Sequence, residues 1–426
     1  MNLHPRGLLP LLTERLSSRP IVVLTGARQT GKTTLARDLL PLGRRPEAVY
    51  ISLDDPDERI RLSTDPVRRL DHGPRLVILD EVQKQPGLMD TVKHLADTAG
   101  RRFLLLGASQ ILLMRQIRET LAGRASLLEL WPLALAERVE GGQVPVTLLD
   151  RIVERGESAC SEAAASSLSA DAGRRLRGWA ESQFQWGGYP ALEPLDDEDR
   201  LTWLRDLRRT YLERDLSDLG RVSDLDQFAL GQNLLAARTG HLLSLSEVSR
   251  ELGVAVNTVK RYLRFLEISY QVFLLRPLLP KIEARLVKSP KLYWTDPGLA
   301  RLLSERSGSG NGALFETSVL CELLRWRSWQ RVPPDLHFHG SHGGGEVDFI
   351  LQTRQNMLAL EAKAGRSVHS SDIRSLRTFI GAAAEAGRAE RKRPLGIVVY
   401  QGREIGQVES GIWAVPAWLL FAPELV

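Results

Sequence analysis

Gly26-Ala27-Arg28-Gln29-Thr30-Gly31-Lys32-Thr33 decides how the first third of this chain is read. The segment fits G-x-x-x-x-G-K-[ST], a pattern whose glycines let backbone N–H groups curl around phosphate oxygens. Its context agrees. Ile21-Val-Val-Leu-Thr25 is an apolar run of buried-strand type, and Thr33-Thr34-Leu-Ala-Arg-Asp-Leu-Leu40 opens a helical pattern. A helix N-terminus adds partial positive charge where the phosphates would lie. Lys32 is placed to reach the β- and γ-phosphates, and the Thr33 hydroxyl to ligate Mg²⁺. Residues Gly26, Ala27, Arg28, Gln29, Thr30, Gly31, Lys32, Thr33 and Thr34 are therefore the expected cradle of a nucleoside triphosphate, read as ATP with Mg²⁺. The bland alternative is a chance match in a glycine-rich turn.

Arg75-Leu-Val-Ile-Leu-Asp80-Glu81 supplies the second half of such a site. An apolar strand ends in two acids, at the strand terminus where α/β sheets bind ligands. Asp80 is expected to hold hydrated Mg²⁺ and Glu81 to orient the attacking water, which makes hydrolysis the expected reaction. A helix cap is the alternative role for the pair. Apolar runs at 48–53, 76–79 and 103–106 alternate with periodic segments such as 88–99. That alternation predicts a parallel sheet covered on both faces. The run at 103–106 continues into Gly107-Ala-Ser109-Gln110. Ser109 would lie near the γ-phosphate if its strand neighbours the Asp80 strand.

These segments resemble the AAA class of ATPases. More narrowly, they resemble a family of bacterial and archaeal ATPases, through Leu79-Asp-Glu-Val-Gln83, Gly107–Ser109, Leu121-Ala-Gly-Arg124, Pro132 to Glu137, and Gly187-Gly-Tyr-Pro190. The resemblance implies an Mg-ATP site with Ser109 as a sensor. It also implies that Arg124 completes a site, its own or a neighbouring subunit's; a solvated or salt-bridged Arg124 is the alternative. Arg28 is able to face a ligand or partner instead. An oligomer follows from the same resemblance, up to a hexameric ring.

Further on, Leu245-Ser-Glu-Val-Ser-Arg-Glu-Leu252-Gly253-Val254-Ala-Val256 reads as helix, glycine turn and second helix. Asn257 or Thr258 is expected to cap the second helix. Val259, Tyr262, Leu263 and Leu266 repeat at helical spacing and form one apolar face. Lys260, Arg261 and Arg264 lie on the other. This looks like a winged helix, with 256–267 as recognition helix and a wing starting at 270–275. Lys260, Arg261 and Arg264 would contact DNA phosphates, and Asn257 or Thr258 would approach base edges. A packing or oligomerisation module is the competing use.

Near the C-terminus, Glu346-Val-Asp348-Phe-Ile-Leu351 and Met357-Leu-Ala-Leu-Glu361-Ala-Lys363 read as a hairpin. Strand alternation puts Glu361 and Lys363 on one side, with Asp348 beside them. Two carboxylates and a lysine are a set that can hold Mg²⁺ and activate water. Glu316, on a helix at 314–326, is a possible fourth member. The segment resembles the restriction-endonuclease-like fold, PD-(D/E)XK, which also follows the winged helix in the same ATPase family. A scaffold that grips DNA without cleaving it is the competing reading.

The expected fold class is thus α/β: a P-loop AAA core with parallel sheet over 1–140, a helical lid and linker over 141–235, a winged-helix domain over 236–306, and a nuclease-like α/β domain over 313–426. Two small-residue stretches, 157–173 and 307–312, read as connections. A length of 426 residues suits several domains, and 43% apolar residues suffice for packed cores. The net charge of +5 permits nucleic-acid binding without demanding it. Two cysteines, Cys160 and Cys321, fit neither a disulfide framework nor metal spacing and suit a reducing cytoplasm. No signal peptide and no membrane span are expected. The leading expectation is a cytoplasmic ATPase coupling turnover to a DNA transaction such as remodelling, branch processing or defence. A slow nucleotide-gated switch and an ATP-regulated metal-dependent nuclease are the alternatives. No acceptor pocket can be read, so a small-molecule kinase is remote.

Overall fold

The computed structural model describes residues 3–40, 47–107, 123–138, 144, 146–166, 168–212, 225–278, 289–304, 312–340, 345–354, 356–385 and 394–423. Helix α1 (Leu8–Ser18) leads into β1 (Ile21–Thr25). After the glycine loop, α2 (Lys32–Thr34) continues as a wider, π-helical turn over Leu35–Leu39. Strand β2 (Ala48–Ser52), helices α3 (Pro56–Thr64) and α4 (Pro66–Asp71), β3 (Leu76–Asp80), α5 (Leu88–Thr98), β4 (Arg102–Leu106) and β5 (Ala125–Glu129) follow. The five strands pair in the order β2-β3-β4-β1-β5, every pair parallel.

Alternation of side chains explains why these short apolar runs became strands of a covered sheet. Ile21, Val23, Val77, Leu79, Phe103 and Leu105 enter one core with Leu88, Val92 and Leu95 of α5. Val22, Leu24, Ile78, Leu104 and Leu106 enter the opposite core with Leu8, Leu12 and Leu16 of α1. The expected core fold, an α/β unit with a parallel sheet, is what the chain adopts, and it puts the glycine loop and Asp80 at the same sheet edge.

Three helices come next: α6 (Leu148–Arg155), α7 (Glu157–Ala165) and α8 (Ala170–Trp186). The stretch 157–173, expected as a flexible connection, is instead largely helical. Its small residues allow close approach: Ala159 and Cys160 are fully buried. All three helices share one core with the C-terminal sheet. The later helix α9 (Asp197–Thr210), with Tyr189 and Tyr211 on either side of it, instead lines the cavity over the glycine loop, so the segment read as one lid divides between two neighbours.

Helix α10 (Leu225–Ala236) precedes β6 (His241–Leu242), α11 (Leu245–Leu252) and α12 (Val256–Ile268). Gly253 turns between the two helices with φ +69°. Strands β7 (Val272–Leu275) and β8 (Lys291–Trp294) complete a three-stranded antiparallel sheet of order β6-β8-β7. Helix α13 (Pro297–Ser304) leads on to α14 (Gly312–Ser328). The C-terminal region then builds β9 (Asp335–Gly340), β10 (Glu346–Gln352), β11 (Met357–Lys363), α15 (Arg374–Glu385), β12 (Leu395–Tyr400), β13 (Gly406–Glu409), β14 (Ile412–Pro416) and α16 (Ala417–Leu420). Its six-stranded sheet is mixed: β9, β10 and β11 run antiparallel, while β11-β12 and β12-β14 are parallel. Among the described residues, no helix is long and apolar enough to cross a membrane.

Candidate functional site

Backbone geometry fixes the glycine loop. Gly26 has φ +146°, and a Cβ there would lie 2.1 Å from the Leu130 carbonyl oxygen. Gly31 at φ +90° and Gln29 at φ +63° continue the left-handed curl. Lys32 is buried and donates to the carbonyls of Gly26 at 3.0 Å and Ala27 at 2.6 Å. The Thr33 hydroxyl donates to Asp80 Oδ2 at 2.7 Å, and the Tyr50 hydroxyl to the same oxygen at 2.7 Å. The other carboxylate oxygen of Asp80 accepts from the Glu81 amide at 2.9 Å.

Glu81 adopts φ +55°, so its side chain leaves the strand end at a sharp turn and meets the amide of Gln83. Burial, with smaller help from the Asp80 charge, holds its carboxyl above the usual range. A cavity of about 460 Å³ opens over this edge. Residues 27–29 and 31–34 and Glu81 line it from the loop side, together with Tyr189, Trp203, Arg208, Tyr211 and Gln271. The Tyr189 and Trp203 rings pack at 5.3 Å. A hydroxyl and a carboxylate in contact beside a phosphate-sized backbone curl are a donor set suited to Mg²⁺ and a triphosphate.

Sequence reasoning missed the support beneath the loop. Arg6 is buried and donates to the carbonyls of Thr30 and Trp131, each at 2.7 Å. Its Nε lies 3.2 Å from Glu137, which also accepts from the amides of Gly7 at 2.6 Å and Ala134 at 2.9 Å. Glu137 therefore ties the N-terminal arm to the loop. No local pattern announces Arg6, since its partners lie 24 and 125 positions away.

Ser109 lies outside the described residues, although β4 does adjoin β3. Arg124 precedes β5 at the sheet edge opposite the glycine loop, because Ala125 pairs with Ile21 and Glu129 with Thr25. There it forms a bidentate pair with Asp97, Nε to the two carboxylate oxygens at 2.9 and 3.1 Å. Among the described residues its side-chain partner is Asp97.

On α12, Asn257, Lys260, Arg261 and Arg264 are exposed and Thr258 is half-buried. Ala255 occupies the N-cap position, so neither Asn257 nor Thr258 caps the helix; both sit within its first turn. The turn that follows α12 docks on the parallel sheet through Tyr270. The Tyr270 hydroxyl is 2.6 Å from Thr25 Oγ1 and 3.3 Å from Glu129, and its ring meets Trp131 edge-on at 5.4 Å. Thr25 immediately precedes the glycine loop.

The C-terminal cluster forms, but around an unexpected cation. Lys363 donates to Glu361 at 2.8 Å, and Asp348 accepts from the Ala362 amide at 2.9 Å. Among the described residues Glu361 Oε2 is buried without a hydrogen-bond partner, and burial followed by the Asp348 charge pushes its carboxyl up to about 8. Lys291 of β8 enters between Glu316, Glu346 and Asp348. Among the described residues, no three Asp, Glu, His or Cys side chains converge to hold a metal ion. The expected metal pair Asp348 and Glu361 lines one cavity, with the Lys291 ammonium 3.5 Å from Asp348 and Lys363 2.8 Å from Glu361.

Comparison with known proteins agrees in part with the sequence expectations. An AAA domain matches residues 18–139, a domain of unknown function (DUF8612) matches 179–309, and another (DUF4143) matches 311–420. An uncharacterized protein of Mycobacterium tuberculosis is 29% identical over 98% of this chain and 84% of its own length, and one of Mycobacterium bovis matches equally. An uncharacterized protein of Methanocaldococcus jannaschii is 22% identical over 79% of this chain and 73% of its own. Among solved structures, a DNA replication initiation factor is similar at 16% identity and a TM-score of 0.23, covering 61% of this chain and 86% of the other. A TM-score so low says nothing about function. The AAA domain and the five-stranded parallel sheet together make nucleotide-dependent activity the supported coarse function.

Proposed function

We propose that this chain is an ATPase that binds DNA and couples ATP turnover to a DNA transaction. The observation that carries the reading is the 2.7 Å contact between Thr33 and Asp80 at the foot of a 460 Å³ cavity, with Glu81 beside it. Thr33 and Asp80 would hold Mg²⁺, which neutralises phosphate charge when bound. Lys32 leaves the carbonyls of Gly26 and Ala27 for the β- and γ-phosphates. Glu81 accepts a hydrogen bond from the attacking water and orients it. Helix α9 supplies Arg208 to the same cavity.

The DNA part of the reading is supported by the basic face of α12. Lys260, Arg261 and Arg264 are exposed. Such side chains suit phosphate contacts, with Asn257 and Thr258 nearest to base edges. Tyr270 links that helix to the strand beneath the nucleotide loop, giving the two sites a short mechanical path. Arg124 faces away from its own site, so a part in catalysis would require a neighbouring subunit of a homo-oligomer. The setting proposed is the cytoplasm.

Measuring ATP hydrolysis with duplex, single-stranded and four-way-junction DNA tests the whole reading. Asp80→Asn is expected to abolish turnover. A Lys260/Arg261/Arg264 triple alanine variant is expected to lose DNA binding and DNA stimulation while keeping basal hydrolysis. Unchanged DNA binding in the triple variant sinks the DNA assignment. Slow hydrolysis indifferent to every DNA would instead favour a nucleotide-gated switch. Cleavage that Lys363→Ala removes without touching ATP hydrolysis would favour an ATP-regulated nuclease.

A further inference from the structure

A second cavity, of about 570 Å³, shares no described lining residue with the one over the glycine loop. Strand direction explains where it sits. Arg366 follows β11, Tyr400 ends β12 and Trp418 follows β14, and these three strands run parallel. The cavity therefore lies at the carboxyl ends of parallel strands, where α/β sheets leave a crevice for ligands. Helix α8 contributes a stripe at helical spacing that includes Arg177, Glu181 and Phe184. Arg301 of α13 and Phe315 of α14 also line it.

This lining joins positive charge to aromatic rings. Among its described residues, Arg177, Arg301 and Arg366 stand against a single carboxylate, that of Glu181. The Arg177 guanidinium lies over the Trp418 ring, 5.3 Å from the centroid. Gly173, one turn earlier on α8, leaves room for it: a Cβ there would lie 3.3 Å from the Arg177 guanidinium. A guanidinium stacked on an indole is held in place by its face and can still donate from its edge. Among the described residues, Arg301 Nε is buried without a hydrogen-bond partner. A buried donor is costly until something accepts from it. Phe184 and Phe315 meet edge-to-face at 5.8 Å. Trp418 Nε1 donates to the Gly402 carbonyl at 2.9 Å, and the Tyr400 hydroxyl to the Glu404 carbonyl at 2.6 Å. Both rings thus spend their polar ends on the protein and keep ring surface for the cavity.

Phosphate suits grouped guanidiniums, and a flat ring suits aromatic surface. The side-chain amides of Gln185 and Gln401, also in the lining, suit the polar edges of a base. The volume falls within the range of roughly 300–1,000 Å³ that holds a small molecule. We propose that this cavity is a second ligand site, separate from the glycine loop, that takes a nucleoside monophosphate, its phosphate held by Arg177, Arg301 and Arg366 and its base against the aromatic lining. A free nucleotide and the terminal nucleotide of a strand present this same chemistry. The site goes beyond the ATPase reading and does not rest on it.

Isothermal titration calorimetry of the full chain is the test. AMP, GMP, CMP and UMP probe for a free nucleotide, and a 5′-phosphorylated thymidine oligonucleotide for a strand end. Wild type is expected to bind at least one of these probes, at about one site per chain. Lys32→Ala is expected to bind that probe as wild type does, which separates the site from the glycine loop. Arg177→Gln and Arg301→Gln are each expected to weaken binding by about 10- to 100-fold, the worth of a hydrogen bond to a charged group. Should those two fail to fold, Arg366→Glu decides, because Arg366 is exposed; it is expected to weaken binding by about 10-fold. Absence of binding by every probe at millimolar concentration overturns the proposal. So does binding that Lys32→Ala removes, an affinity unchanged in every folded arginine variant, or inorganic phosphate that binds as tightly as the nucleotide.

Discussion

Glu81 combines a left-handed backbone, a half-buried carboxyl and a place in the lining of the candidate nucleotide cavity. Its acid–base state sets a prediction. A water-orienting carboxylate works ionised, and burial raises the pH at which ionisation occurs. Turnover is therefore expected to rise with pH through a limb lying above the ordinary glutamate value of about 4.3. The same shift means that the folded state holds this proton more tightly than the unfolded chain does. Its contribution to stability is thus present at low pH and lost as pH rises through the folded-state value. A kcat–pH profile checks the limb, and Glu81→Gln is expected to bind ATP while losing turnover by about 100-fold or more. A profile flat down to the ordinary glutamate range, or a Glu81→Gln protein with normal turnover, would remove Glu81 from this role. At this scale, legibility in the sequence followed local geometry. The loop glycines and the Asp80–Glu81 pair were readable because their backbone demands and strand-end position are local. Arg6 and Lys291 were not, because their partners come from distant segments and leave no spacing to read.

Helix α9 shows what an element adds that its residues do not announce. It brings Trp203 and Arg208 over the loop, and Arg208 is itself braced from α10, donating to the Ala229 carbonyl at 3.0 Å and to Asn233 Oδ1 at 2.9 Å. A braced guanidinium in the cavity that the glycine loop lines suits a triphosphate. Arg208→Ala is expected to lower kcat/KM for ATP by about 10- to 100-fold, the worth of one hydrogen bond to a charged group. Steady-state kinetics check this, with thermal melting confirming the fold; an unchanged kcat/KM in a folded variant would detach α9 from the nucleotide. Elements with a strong period were legible: α11, the Gly253 turn and α12 follow directly from the apolar spacing of Val259, Tyr262, Leu263 and Leu266. Strand β5 was not, because as an edge strand it is only partly buried and shows no clean apolar run. Helix α7 resembled a linker for a related reason, since its alanines and serines pack by being small.

At the scale of the whole molecule, buried charge and apolar packing both cross the boundaries that motifs suggest. Arg325 of α14 is fully buried, 2.6 Å from Glu322 and 3.4 Å from Asp296, which follows β8. Asp296 accepts from the Gly188 amide at 2.9 Å, and Glu322 accepts from the Leu135 amide beside the parallel sheet at 2.9 Å. Asp296 leaves no room at Gly187, where a Cβ would lie 2.1 Å from its carboxylate. That contact gives the Gly187-Gly188 pair a structural reason that sequence alone did not supply. Leu148, Leu149 and Ile152 of α6 and Leu176 and Ala180 of α8 meanwhile complete the core under the C-terminal sheet. A fragment of residues 311–426 would therefore expose an apolar face and leave Arg325 without Asp296. Arg325 keeps Glu322 in the fragment, so the larger loss is the cover of the apolar face that α6 and α8 provide in the whole chain. The fragment is expected to melt without a sharp transition or to aggregate, whereas full-length Arg325→Met is expected to fold with a lowered melting temperature. Calorimetry of both proteins decides the matter. A fragment that unfolds cooperatively at the temperature of the intact chain would show that the C-terminal region is a self-sufficient domain and that the shared core is only a contact between finished parts.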